Sequence, residues 1–191
     1  MGRKINMQNN AHQIEPFEKR LTRFQNGSPV ESIETLLNSI ANFFNNEIVL
    51  TPEKYQTSLL FLGIHSVALT ISEIFWDLNG EAGFKKFLET FMDGDTENIK
   101  FSFVADKIHS WRNVLAHQWL ASSGYEIQYD YEMKAGFEIS DNLLRINPKI
   151  YCDQYMKAFS AGGKMWKYGT LFTASELEGT KQRIIDKFVK K

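Results

Sequence analysis

The 191-residue sequence predicts a mainly α-helical protein, an up-and-down bundle with a β-hairpin inserted after its fourth helix. Three observations point there. Apolar side chains recur at three- and four-residue spacing over most of the chain, the period of an amphipathic helix. Fifteen Phe, seven Tyr and four Trp stand against only four Pro, so a large aromatic core is available with few forced breaks. At one place only, from Tyr125 to Lys134, the period switches to strict alternation.

Residues 1–28 are rich in Asn, Gln and charge and end in Asn26-Gly27-Ser28-Pro29. They read as a flexible arm carrying a short helix over Phe17 to Phe24, closed by a turn. Residues 29–191 read as a single domain. Ser28 is an N-cap candidate and Pro29 fits a first helical turn. Ile33, Leu36, Leu37, Ile40, Phe43 and Phe44 then form the apolar stripe of the first long helix. Thr51-Pro52-Glu53 repeats the start signal, which predicts a second helix from Thr51 to about Asp77. That helix is apolar around much of its circumference and is expected at the centre of the bundle. Asn79-Gly80 ends it, and a shorter helix over Phe84 to Met92 follows, broken by Asp93-Gly94-Asp95.

A fourth helix is expected from about Ile99 to Leu120, with Val104, Ile108, Trp111 and Leu115 as its core stripe. After Gly124, Tyr125, Ile127, Tyr129, Tyr131 and Met133 alternate with polar residues and predict a strand. Ala135-Gly136 begins a turn, and Phe137 to Ile139 or Leu143 to Ile146 supplies the return strand, placing the hairpin at about 125–146. Pro148 opens another helix, stopped by Gly162-Gly163, and a last helix runs from Ser175 to Val189 with a basic end.

Composition narrows the function. The 22 basic and 23 acidic residues give a net charge of −1, which argues against a protein that coats long stretches of nucleic acid. A local phosphate site stays compatible with it. The single cysteine, Cys152, excludes an intramolecular disulfide and a cysteine-based metal cluster, and reads as a packed thiol. The first 13 residues lack the apolar stretch of a signal peptide. The longest apolar run, around Leu59 to Leu69, reads as too short to cross a bilayer. A cytosolic protein without a membrane partner is expected. No Gly-rich phosphate loop, zinc spacing or Ser-nucleophile motif is present, so no cofactor or metal is expected.

One constellation carries chemistry. At ~100° per residue, with Val104 as zero, Asn113 falls near ~180° and His117 near ~220°, away from the core stripe. Asn113 and His117 are i,i+4 neighbours, with Asp106 and Ser110 one to two turns earlier. Arg112, near ~80°, can swing its long fork toward that face. A permanent cation, an amide and an imidazole on one surface suit phosphodiester cleavage, which needs a proton acceptor and a holder of negative charge. A solvated helix face would have the same spacing.

The segment Asp106-Lys107-Ile108-His109-Ser110-Trp111-Arg112-Asn113-Val114-Leu115-Ala116-His117 resembles the hallmark of the HEPN superfamily, small helical-bundle proteins. That motif is an Arg followed after four to six residues by His, often with a polar residue next to the Arg. The resemblance covers roughly residues 30 to 120. It implies a metal-independent endoribonuclease with its site at the junction of a homodimer. His117 would be the acid-base group, Arg112 the phosphate holder and Asn113 an orienting group. It implies RNA as substrate, and a toxin or defence role sometimes paired with a nucleotidyltransferase-like antitoxin. Many members are non-catalytic, which leaves open an interaction or regulatory module that binds a protein partner or a nucleotide.

Other features have simpler readings. His65 reads as a hydrogen-bonded core or interface histidine, and Glu73 as a solvated or helix-paired carboxylate. His109 lies about 12 Å from His117 along the helix axis, too far to share a metal ion. The tyrosines of the strand suit packing better than base stacking. The basic residues of the last helix, from Lys181 to Lys191, complement its own dipole.

Overall fold

A computed structural model describes residues 16–54, 56–118, 125–127 and 134–190. Seven α-helices are seen among them: α1 (Phe17–Asn26), α2 (Pro29–Phe43), α3 (Thr57–Trp76), α4 (Gly80–Phe87), α5 (Ala105–Gln118), α6 (Pro148–Phe159) and α7 (Ala174–Phe188). Strands β1 (Tyr125–Ile127), β2 (Phe137–Ser140) and β3 (Leu143–Ile146) form one small sheet. The protein is mainly helical, as its periodicity predicts.

Helix α2 begins where Ser28 and Pro29 predict. Ser28 Oγ accepts from the Glu31 amide at 3.2 Å, and the Ser28 amide donates to Glu31 Oε2 at 2.7 Å. This reciprocal capping box satisfies two amides that a helix start otherwise leaves unbonded. Thr173 and Glu176 repeat the device at α7, where the Thr173 amide donates to Glu176 Oε2 at 2.7 Å. Replacing Ser28 by Ala is expected to cost about 1 kcal/mol, read as a lower midpoint in urea unfolding at unchanged slope.

Two expectations are corrected, the start of α3 and the hairpin. Thr51 does not cap α3. Its hydroxyl donates back to the Ile48 carbonyl at 2.7 Å and closes the π-helical turn Phe44–Ile48, so α3 starts only at Thr57. The short helix expected over Phe17 to Phe24 is present as α1, which lies against α2 and α7, buries Phe24, and stacks it on Phe188 at 6.0 Å. Residues 1–15 lie outside the described residues. The hairpin also differs. Its antiparallel strands are β2 and β3, joined by Asp141-Asn142, both with positive φ (50° and 64°) as a two-residue turn requires. The Tyr125 strand instead lies parallel to β3, giving the order β1-β3-β2. Residues 128–133 of the expected strand lie outside the described residues. Gly136 is needed for close approach rather than for a turn, since a Cβ there would lie 2.6 Å from the Phe101 ring.

Helix α3 is the centre and touches α4, α5, α6 and α7. It buries Leu60, Phe61, Ile64, Ala68, Ile71, Ile74 and Phe75. At 20 residues, with a mean hydropathy of 1.7 over its most apolar window, it is by length and composition able to cross a membrane, although the run Leu59 to Leu69 read as too short. More than half of its most apolar window is nonetheless covered by the neighbouring helices. Its last carbonyls are met by α7: Arg183 donates from Nε to the Ile74 carbonyl at 2.6 Å and from Nη2 to the Phe75 carbonyl at 3.1 Å. Lys187 pairs with Glu73. The basic side of α7 thus completes the C-terminus of a different helix from its own.

An aromatic stack ties the centre to the element that carries the motif. The Phe61 ring lies 4.6 Å from Trp111 of α5 and 4.9 Å from Tyr151 of α6. Cys152, beside Tyr151 in the chain, is buried, and desolvation pushes its thiol up to about 12, aided by the charge of Asp153. It is the packed thiol that the sequence suggests.

Candidate functional site

The stripe predicted for α5 is its buried face. The helix starts at Ala105 and not at Ile99, so Val104 lies in the 3-10 turn just before it. Val104, Ile108, Trp111 and Leu115 are all nearly inaccessible, and their packing fixes the helix's rotation about its axis. Arg112 and Asn113 then sit half-buried at the margin, while Asp106 and Ser110 are exposed. Arg112 donates from Nη1 to Asn113 Oδ1 at 3.0 Å, so the cation and the amide are brought together as neighbours. Arg112 Nε is buried without a hydrogen-bond partner among the described residues. His117 lies on the last turn of the same helix. Its side chain, and with it the expected acid-base geometry, lies outside the described residues.

Two imidazoles join Arg112 that spacing alone does not assemble. His65, on α3, has no solvent exposure, and its ring centroid lies 4.9 Å from that of His109 and 4.4 Å from Phe84. His109 stands one turn before Arg112 and is half-buried. Neither nitrogen of His65 has a hydrogen-bond partner among the described residues, and neither does His109 Nδ1. The expectation of a hydrogen-bonded His65 is therefore corrected to a buried ring held by packing alone.

Electrostatics follow from that enclosure. Desolvation pulls the His65 pKa down to about 3, reinforced by the charges of Arg112 and His109. His109 is also lowered, first by desolvation, against an upward pull from Glu81 and with a further downward push from Arg112. At neutral pH the cluster holds one fixed positive charge beside two neutral rings. It can accept an anion at Arg112, and of the two rings only that of His109 is partly exposed. His65 is sealed from solvent and acts only through His109 and Arg112.

Among the described residues no three His, Cys, Asp or Glu side chains converge into a metal-binding group. A readable signal for His109 exists, because it precedes Arg112 by three residues on one helix. None exists for His65, which lies on another helix 44 positions before His109 and reaches it only through the packing of α3 on α5.

Compared with known proteins, the chain matches no family model, no curated protein and no solved structure.

Proposed function

We propose that this chain is a HEPN-type endoribonuclease that works as a homodimer, with Arg112, Asn113 and His117 forming the site. The observation that carries the reading is the placement of Arg112. It is half-buried at the edge of the core stripe and bonded to Asn113. A guanidinium held this way loses little conformational freedom on meeting a phosphate, and its charge is permanent. Asn113 orients the guanidinium through its side-chain oxygen and keeps its amide hydrogens for substrate.

In the proposed reaction the ribose 2′-hydroxyl attacks the adjacent phosphorus while His117 takes its proton. The bond from phosphorus to the 5′-oxygen breaks, and the leaving oxygen receives a proton from the second protomer's His117 in its protonated form. The products are a 2′,3′-cyclic phosphate and a 5′-hydroxyl end. Arg112 neutralises the charge that develops on the phosphoryl oxygens, where it is worth most. Two histidines in opposite protonation states require a site shared by two chains, because each chain contributes only one motif.

The test is cleavage of a fluorescent RNA in excess EDTA by the purified protein and by His117→Ala. Activity is expected in the wild type and a loss of at least ~100-fold in the variant, in the range typical of general acid-base groups. Both should have the same helical circular dichroism. Equal cleavage by both proteins would overturn the assignment of His117. A second reading, a non-catalytic regulatory module using the same face, is favoured by the net charge of −1, which supplies little attraction for RNA. It predicts no turnover on any RNA.

A further inference from the structure

The helix pair α1–α2, remote in sequence from the motif, encloses a cleft of about 230 Å3. This is smaller than the roughly 300–1,000 Å3 of sites for drug-sized ligands, and it suits a compound of sugar size. Its walls are polar at one end and mixed at the other. Arg20 and Arg23 of α1 face Thr35 and Ser39 of α2. Asn38 lies between them, Asn42 and Phe43 follow along α2, and Glu47 lies on the π-helical turn beyond it.

The hydrogen bonding inside the cleft is incomplete. Arg20 reaches only Ser39 Oγ, from Nη1 at 3.5 Å, while its Nε is buried with no partner among the described residues. The fork is steadied against the Phe17 ring, 5.7 Å from its centroid. The hydroxyls opposite have already used their protons: Thr35 donates to the Glu31 carbonyl at 2.7 Å and Ser39 to the Thr35 carbonyl at 2.8 Å. Their remaining lone pairs can accept from Arg20, as Ser39 does, or from a ligand hydroxyl, and give a phosphate no donor. Asn38 and Asn42 are exposed and make no side-chain hydrogen bond among the described residues. Phe43 keeps 36% of its surface exposed.

Each part has a chemical counterpart. Two guanidinium groups lining one end suit a phosphate. Amides and a carboxylate suit hydroxyl groups, since Glu47 can accept two hydroxyl protons while Asn38 and Asn42 both give and accept. A partly exposed ring offers an apolar wall for the face of a sugar. The separation leaves room too: Ser39 and Glu47 are eight residues apart along the helical path, roughly 12 Å, which is longer than a pentose phosphate. A free anion would leave the Glu47 end unmatched, and a neutral sugar would leave Arg20 unmatched.

We infer that the α1–α2 cleft binds a phosphate monoester of a polyhydroxy compound, with the phosphate on Arg20 and the hydroxyls between Asn42 and Glu47. The site is independent of the motif on α5. Its ligand is either a free sugar phosphate or the ribose 5′-phosphate of a nucleotide, which share this chemistry.

Isothermal titration of the full chain with ribose 5-phosphate, adenosine 5′-monophosphate, ribose and inorganic phosphate tests it. Saturable 1:1 binding of ribose 5-phosphate is expected, at least tenfold tighter than ribose or inorganic phosphate. Arg20→Gln should weaken it tenfold or more, Asn42→Leu should block it from an exposed position, and Arg112→Ala should leave it unchanged. Tighter binding of the nucleotide would assign the ligand to the nucleotide source, and equal binding to the free sugar phosphate. No saturation by either phosphate ester at 10 mM, a Kd unaltered by Arg20→Gln in a folded variant, or inorganic phosphate binding as tightly as ribose 5-phosphate would overturn the inference. The RNA cleavage test concerns α5 alone, so either proposal can fail without the other.

Discussion

Lowering the pH from 7 to 5 is expected to cost the fold about 2 kcal/mol through His65 alone. In the folded chain this imidazole titrates at about 3, because it is enclosed between α3, α4 and α5 and lies near the Arg112 charge. In the unfolded chain it titrates near its ordinary value of 6.5. Between those two values the unfolded state binds the proton that the folded state refuses, so stability falls as pH falls. The contribution is complete above about 6.5, declines through the window down to about 3, and changes no further below it. His109 is shifted in the same direction and steepens the slope, whereas Glu81 opposes it. Urea unfolding at several pH values checks this directly. His65→Leu, close in volume and without a titrating ring, should flatten the slope. It should also cost little at pH 7, because the ring nitrogens it removes have no hydrogen bond to lose. An unchanged slope in the variant would show that His65 is not the group responsible.

Phe61→Ala is expected to destabilise the protein by about 3–5 kcal/mol. The ring is 1% exposed and is clasped between Trp111 and Tyr151 at 4.6 and 4.9 Å. Truncation removes the transfer energy of the ring and leaves a hole that two other aromatic side chains cannot close without leaving their own contacts. For a chain of this size the loss corresponds to a fall in Tm of roughly 10 °C. The effect also reaches the motif, since Trp111 precedes Arg112 and its packing fixes the direction in which α5 presents Arg112 and Asn113. Phe61→Leu refills part of the volume but offers no ring face to Trp111 or Tyr151, so it should recover only part of the loss.

Much of the helical frame is legible in the sequence because its signals are local. Ser28-Pro29 and the Pro148 start sit within one turn of the groups they satisfy, and the stripe from Val104 to Leu115 is a matter of spacing on one helix. Thr51-Pro52 misleads because the same hydroxyl can bond forward as a cap or back to a carbonyl, and the π-helical turn before it supplies the carbonyl. The hairpin turn at Asp141-Asn142 carries a readable cue, two residues that tolerate positive φ between two short apolar runs. The parallel placement of β1 on β3 has no such cue, because register between distant segments is set by the packed sheet. The candidate site divides in the same way. Arg112 and Asn113 are neighbours in sequence and remain neighbours in space, whereas the approach of His65 to His109, like that of Arg183 to the end of α3, exists only once α3 is packed.

The proposed nuclease requires the α5 motifs of two chains to face each other across one site, and an inter-protomer distance tests that most directly. Asp106→Cys places a spin label on the exposed motif side, two turns before Asn113, while Cys152 is buried with its thiol pushed up to about 12 and so reacts poorly. A molecule of this length is roughly 40 Å across. Pulsed electron resonance is expected to give one distance below about 30 Å in a dimeric sample, less than one molecular diameter. A monomeric protein at concentrations where RNA is cleaved, or a distance approaching the ~80 Å span of two molecules placed back to back, would contradict the account.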